Sequence, residues 1–135
     1  HRVMPDRIEA GTLLIASAIT GGTVQVNRAV PDHLEALLIK LKECGVKTES
    51  SNDSIRVIGT KTWGSADVTT NPYPLFPTDL QAQFMALMTI ASGTSVITET
   101  VFENRFMHVQ ELSRLGADIT PKTRVAVVRG VKALS

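Results

Sequence analysis

The 135-residue chain has one cysteine, one tryptophan and one tyrosine, a formal net charge of only +1, and no long apolar run. Each lack excludes something. A lone Cys44, set in Lys-Glu-Cys-Gly-Val at a helix end, forms no internal disulfide and reads as a small buried apolar residue in a reducing cytoplasm. Fourteen Lys and Arg against 13 Asp and Glu leave no global field to draw the chain to nucleic acid or an anionic membrane, so an anion must be met by local groups. The few aromatics lack the basic interleaving of a base-stacking surface. No apolar stretch is long enough to span a bilayer, and His1-Arg2-Val3-Met4-Pro5 lacks the layout of a secretory signal, so a cytoplasmic protein is expected. His1, His33 and His108 share no ligand-like spacing with one another or with Cys44, and neither metal nor cofactor is expected. Gly21-Gly22 closes a helix instead of opening one, which leaves no glycine-rich phosphate loop. The start without methionine, and ends that fall against structured pattern, suggest a piece of a longer polypeptide.

What is present is a duplicated unit. Gly22 and Gly93, Gly45 and Gly116, and Gly59 and Gly130 each lie 71 apart (93 − 22, 116 − 45, 130 − 59). In that register Ile19 falls on Ile90, Val26 on Ile97, Leu41 on Leu112 and Val57 on Val128, as in a repeat whose members share a core. Where the first unit has Ile8, Leu34 and Leu37, the second has Asp79, Arg105 and His108, and such departures from packing are candidate sites. Asp6 with Glu9 opens a helix over 6–20, and Gly21-Gly22 ends it. Val24 and Val26 alternate with Gln25 and Asn27 in a half-buried strand over 23–28. Leu34, Leu37, Leu38 and Leu41 give a helix over 33–44, and two short strands near 46–49 and 55–58 flank a turn at Ser50-Ser51-Asn52-Asp53. After an extended piece at 66–69 and a proline-rich connector at 71–77, the order repeats: helix 78–91, strand 94–99, helix from about 104 to 115, strands near 117–119 and 124–128. The expected fold is α/β or α+β: one domain over 1–135 with unit one at about 5–60, a connector at about 61–77 and unit two at about 78–131, its helices over a mixed sheet.

Thr78-Asp79-Leu80-Gln81 reads as a capping box, with the Thr hydroxyl on a helical amide and the Gln side chain returning to the cap. Asp79 then lies in the first turn, where a carboxylate is favoured by about 0.3–1 kcal/mol; alternatively it projects beside the proline-rich loop and takes or aligns a proton on a substrate hydroxyl. A helix start makes any carboxylate a poor base, which puts weight on positioning. Arg105 sits at a strand-to-helix junction, either pairing with Glu103 or Glu111 on the surface or holding a carboxylate or phosphate. His108 reads as a helix-face residue with a local hydrogen bond.

At Phe76-Pro77-Thr78-Asp79-Leu80-Gln81-Ala82-Gln83-Phe84, at Thr98-Glu99-Thr100-Val101-Phe102-Glu103-Asn104-Arg105-Phe106-Met107-His108, at Pro5-Asp6-Arg7-Ile8-Glu9-Ala10-Gly11-Thr12 and at Glu111-Leu112-Ser113-Arg114-Leu115-Gly116-Ala117, the chain resembles the UDP-N-acetylglucosamine 1-carboxyvinyltransferases, the enolpyruvyl transferases of bacterial peptidoglycan synthesis. The resemblance implies a two-domain enzyme, each domain built of three related units around a pseudo-threefold axis, of which this chain is two. It implies transfer of the enolpyruvyl group of phosphoenolpyruvate to the 3′-hydroxyl of UDP-N-acetylglucosamine by addition and then elimination of phosphate, a step serving cell wall biogenesis, cell shape and cell division. It implies Asp79 as the residue contacting that hydroxyl and its proposed base, and Thr78, Val101, Phe102 and Arg105 as substrate-binding positions. Asp6 matches an aspartate of the interdomain region, although a helix cap explains it equally. Tyr73 stands where the family often has histidine. The loop cysteine that reacts with phosphoenolpyruvate, which Cys44 does not match, and the lysine and arginines that clamp that substrate, are implied to lie in segments outside this chain. The isolated chain is therefore expected to be inactive, with the missing domain of the same polypeptide as its partner, and to self-associate through an open sheet edge. A noncatalytic binding or assembly module on the same scaffold, and a shikimate-pathway enolpyruvyl transferase, remain alternatives.

Overall fold

The computed structural model describes residues 6–102 and 105–134; Pro5 and Asn104, which bound two of the expected segments, lie outside them. Asp6 opens helix α1 (Arg7–Thr20), its carboxylate accepting from the amides of Ile8 at 2.9 Å and Glu9 at 3.2 Å and so satisfying two donors that the helix leaves free. Gly21, at φ 72°, closes the helix in the left-handed conformation that costs glycine least. Strand β1 (Thr23–Asn27) follows. A 3-10 turn over Pro31–Leu34 precedes helix α2 (Glu35–Glu43), so the stripe expected as one helix is divided between two kinds of turn. Strands β2 (Lys47–Ser50) and β3 (Ser54–Ile58) form a hairpin closed by Ser51 N–H on the Ser54 carbonyl at 2.9 Å.

The connector carries the two-residue strand β4 (Val68–Thr69). It is tied down by Trp63, which is buried and donates its indole N–H to the Leu87 carbonyl at 3.0 Å. A 3-10 turn over Thr78–Leu80 leads into helix α3 (Gln81–Met88). This helix stops short of residue 91: the Thr89 hydroxyl turns back onto the Ala86 carbonyl, and the Thr89 carbonyl accepts from Val131 N–H at 2.8 Å. Strand β5 (Thr94–Thr98), helix α4 (Val109–Arg114), and strands β6 (Asp118–Pro121) and β7 (Val125–Arg129) complete the chain.

The strands obey the spacing of the glycines. β1 and β5, β2 and β6, and β3 and β7 each begin 71 residues apart (94 − 23, 118 − 47, 125 − 54). Their pairing repeats too: Ile58 lies opposite Thr23 and Lys47, and Arg129 lies opposite Thr94 and Asp118. Where helices over a mixed sheet were expected, the described residues form two sheets, because each hairpin folds back onto the first strand of its own unit. One is antiparallel with order β1-β3-β2; the other has order β4-β5-β7-β6, with β4 parallel to β5. Strand β1 is an edge, so Val24, expected on the inward face, is 37% exposed, whereas β5 is flanked on both sides and its Ser95 and Ile97 are buried.

One apolar core joins the units. Leu14 and Ile15 of α1 and Phe84, Met85, Leu87 and Met88 of α3 are all essentially inaccessible. Each such side chain is worth roughly 1.5–3 kcal/mol of transfer free energy. Phe76 of the proline-rich loop packs edge-on against Phe84, ring centroids 5.4 Å apart, which seats that loop on the core beside the Thr78 turn.

Candidate functional site

The organising residue is Glu99, immediately after β5 and 1% exposed. Period-two alternation along β5 places it on the same face as Ser95 and Ile97, so it enters the interior as a carboxylate. A buried charge is tolerated only when its oxygens are satisfied. Oε1 accepts from the Thr78 hydroxyl at 2.7 Å and the Gln81 side-chain amide at 3.1 Å; Oε2 accepts from the Thr70 hydroxyl at 2.6 Å and from the backbone amides of Val101 at 3.1 Å and Phe102 at 3.3 Å. Burial by itself raises the Glu99 carboxyl, but the hydrogen bonds from Thr70, Thr78, Gln81 and Val101 outweigh it and hold the group below its ordinary value of 4.5. The backbone around it is fixed as well: Glu99 N–H donates to the Arg124 carbonyl at 2.8 Å, and Thr100 bonds Thr70 through its amide and its hydroxyl.

This network replaces the capping box. The turn at Thr78–Leu80 has no side-chain cap, and Thr78 and Gln81, expected to serve each other's amides, both turn inward to Glu99. Hydrogen bonds donated to a charged acceptor are stronger than those accepted from neutral amides at a helix start, so both side chains turn to the carboxylate as donors. Gln81 makes a second bond to the Arg105 carbonyl at 3.2 Å, and Val109 N–H bonds the Phe106 carbonyl at 3.1 Å. The segment after Arg105 is therefore a run of turns, and α4 starts at Val109 instead of near residue 104.

The five sequence-predicted positions gather around this anchor. Thr78, Val101 and Phe102 bond it directly, and Asp79 and Arg105 stand at the rim, Arg105 Nη1 4.0 Å from Asp79 Oδ1, with side chains 41% and 56% exposed respectively. At that exposure the pair adds about 0–1 kcal/mol to stability. The Arg105 guanidinium lies over the Phe102 ring, 4.5 Å from its centroid. Of the two surface partners expected for Arg105, Glu103 lies outside the described residues and Glu111 is taken by Arg114 at 2.9 Å. A carboxylate and a guanidinium held side by side on an aromatic face can bind a hydroxyl and a neighbouring anionic group together.

Other expected residues do not join this arrangement. Asp6 is the cap of α1. Tyr73 is exposed, with the Arg7 guanidinium 5.1 Å from its centroid and the His33 ring edge-on at 6.2 Å. Cys44 is buried, and burial together with the neighbouring Glu43, against a smaller opposing effect of Lys40, pushes its thiol up to about 11. His108 stacks edge-on to Phe106 at 6.4 Å, and its Nε2 has no partner among the described residues, contrary to the expected local bond. Burial pushes its imidazole below the ordinary value of 6.5. Glu99 and Thr70 escaped sequence reasoning; the signal was the alternation of Ser95, Ile97 and Glu99, which points a carboxylate at the core. Among the described residues no helix is long and apolar enough to cross a membrane.

The EPSP synthase (3-phosphoshikimate 1-carboxyvinyltransferase) family matches residues 1–135. The chain is similar to a UDP-N-acetylglucosamine 1-carboxyvinyltransferase of Bdellovibrio bacteriovorus, 72% identical over 130 residues that cover 96% of this chain and 31% of that protein. It is similar to the protein of the same name from Geotalea daltonii, 57% identical over 135 residues that cover 100% of this chain and 32% of the relative. Its fold is that of the enolpyruvyl transferase NikO from Streptomyces tendae, whose crystal structure superposes with a TM-score of 0.83 at 24% identity over 95% of this chain and 31% of that one. The chain spans about a third of the length of the curated relatives it matches.

Proposed function

The chain belongs to the EPSP synthase (3-phosphoshikimate 1-carboxyvinyltransferase) family, and from that premise we propose that it is part of an enzyme transferring the enolpyruvyl group of phosphoenolpyruvate to the 3′-hydroxyl of UDP-N-acetylglucosamine. The identity to relatives bearing that name, over nearly the whole chain, supports the sugar-nucleotide branch over the shikimate branch. On this reading the protein works in the cytoplasm at the first committed step of peptidoglycan synthesis, needs no cofactor, and completes its site with segments of the same polypeptide beyond these 135 residues. The division into units at about 5–60 and 78–131, joined at 61–77, belongs to the same proposal.

The observation that carries the proposal is the 4.0 Å approach of Asp79 and Arg105 above a fully bonded Glu99. In the reaction the sugar hydroxyl oxygen forms a bond to the central carbon of phosphoenolpyruvate as its proton leaves and the methylene carbon takes up a proton to become a methyl. That methyl then loses a proton as the carbon–oxygen bond to phosphate breaks, so that phosphate departs and the double bond is restored. Asp79 accepts the hydroxyl's hydrogen bond and directs its lone pair, with partial removal of the proton as the new bond forms. Arg105, kept planar on Phe102, supplies positive charge beside it. Val101 and Phe102 line the approach, and Thr78 holds the turn that presents Asp79. The groups that activate phosphoenolpyruvate lie on this reading outside the chain, so the chain alone does not turn over.

The test is Asp79→Asn in the full-length protein, assayed with both substrates. Turnover should fall by about 100-fold or more with the fold intact, the scale expected when a positioned acid or base is removed. Undiminished turnover removes the assignment.

A further inference from the structure

We propose, resting on the transferase reading above, that Glu99 is a positioning residue of the site: its carboxylate sets the distance between Asp79 and Arg105 by anchoring both segments that carry them. Glu99 is 1% exposed, so its carboxylate is turned to the protein interior and away from solvent. Through Oε1 it holds Thr78, the residue before Asp79, and Gln81, the first residue of α3. Through Oε2 it holds the amides of Val101 and Phe102, whose ring supports the Arg105 guanidinium. Gln81 closes the circuit, because the same amide nitrogen that meets Glu99 also meets the Arg105 carbonyl. Two segments more than twenty residues apart in sequence (99 − 78 = 21) thus share one pair of oxygens.

The arrangement selects for a carboxylate. Five donors face two oxygens; the hydroxyls of Thr70 and Thr78 can rotate and the Gln81 amide can turn over to become acceptors, but the two backbone amides cannot. A glutamine at 99 must aim its NH2 either at two backbone amides, which cannot change, or at the Gln81 amide. In the second case Gln81 can turn over, since its Oε1 is buried with no partner among the described residues. That rotation puts an oxygen against the Arg105 carbonyl and breaks the bond that holds it. Glu99→Gln therefore frees the Arg105 segment while leaving the volume of the core unchanged.

The experiment is steady-state kinetics of the full-length protein with UDP-N-acetylglucosamine and phosphoenolpyruvate. Glu99→Gln should lower kcat by about 10- to 100-fold with an unchanged circular dichroism spectrum, because a displacement of about 1 Å at a reacting group costs on the order of 100-fold. Asp79→Asn added to Glu99→Gln should cost far less than it does in the wild type, since both act on one alignment. Thr70→Val, which removes one donor to Glu99 outside the candidate site, should lower kcat in the same direction by less, and Thr70→Ser should restore it. If Glu99→Gln does not fold, the Thr70 pair decides. Wild-type kcat and KM in Glu99→Gln, an equal cost of Asp79→Asn in both backgrounds, or equal kcat for the two Thr70 variants overturns the inference while leaving the transferase reading in place. Absence of turnover in the wild-type protein overturns that reading, and this inference with it.

Discussion

Gln83 Nε2 donates to Thr12 Oγ1 at 3.0 Å across a separation of 71 residues, so one position of the repeat bonds its own counterpart. The two units therefore meet where α1 and α3 face each other at equivalent points, as elements around a local symmetry axis do. The bond is partly buried and neutral, which sets its net worth at about 0.5–1.5 kcal/mol. Thr12→Val and Gln83→Met should each cost about that much in urea unfolding, and the double variant should cost clearly less than their sum. Strict additivity would mean that the bond adds nothing to the joining of the units.

Gly59 and Gly130 are also counterparts, each lying just after the last strand of its unit. A Cβ on Gly59 would stand 2.2 Å from the Gly21 carbonyl carbon, and one on Gly130 would stand 1.6 Å from the Ala91 carbonyl oxygen. Both neighbours are backbone, which cannot swing aside. Gly59→Ala and Gly130→Ala should each destabilise the protein by about 1–3 kcal/mol or more, the range for overpacking, and thermal unfolding measures it. A melting temperature within a degree or so of wild type in either variant contradicts the close approach.

These glycines explain why so much of the fold was legible before any coordinates. Gly59 and Gly130 are forced by contact between two backbones, and Gly45 and Gly116 by left-handed φ values of 83° and 103°; with Gly22 and Gly93 in the same register the strands fall into place from one offset. The candidate site was legible as a cluster for a related reason: Asp79 and Arg105 replace Ile8 and Leu34 of the first unit, and a charge where the duplicate has a hydrocarbon has no packing explanation. Local chemistry misled where a distant partner intervened. Thr78 and Gln81 fit a capping box within their own four residues, and only the fold brings Glu99, 18 residues beyond Gln81, close enough to take both. The boundaries of α3 and α4 shifted for the same reason, since the Thr89 carbonyl at the end of α3 is taken by Val131 and the Arg105 carbonyl ahead of α4 by Gln81.

Arg105→Lys keeps the charge but gives up the planar group that lies on Phe102. At this exposure the stacking is worth about 0.5–1 kcal/mol. On the transferase reading proposed above, the variant should therefore raise KM for UDP-N-acetylglucosamine in the full-length protein by roughly 2- to 5-fold, whereas Arg105→Ala, which also removes the neighbour of Asp79, should reduce kcat as well. A wild-type KM in Arg105→Lys would mean that the ring orients nothing.

Acid should destabilise the protein in two stages. Burial holds His108 below its ordinary 6.5, so as pH falls past 6.5 the unfolded chain takes up a proton that the native imidazole resists, and stability declines until the native group also titrates. Glu99 is likewise held below 4.5 by its hydrogen bonds, against the effect of burial. Its contribution is complete above 4.5 and is lost as pH falls through the lower native value, because the unfolded carboxylate protonates first. Urea unfolding from about pH 7.5 down to about pH 3.5 should therefore show a decline beginning near 6.5 that steepens below 4.5. His108→Asn should remove the first stage and leave the second; Glu99→Gln should do the reverse. The two carboxylate oxygens of Glu99 serve five donors, so its protonation disorders the Thr78 turn and the Val101–Phe102 segment together. A native state whose stability is level between 4.5 and 3.5 would contradict the ionised, fully bonded Glu99 on which this geometry rests.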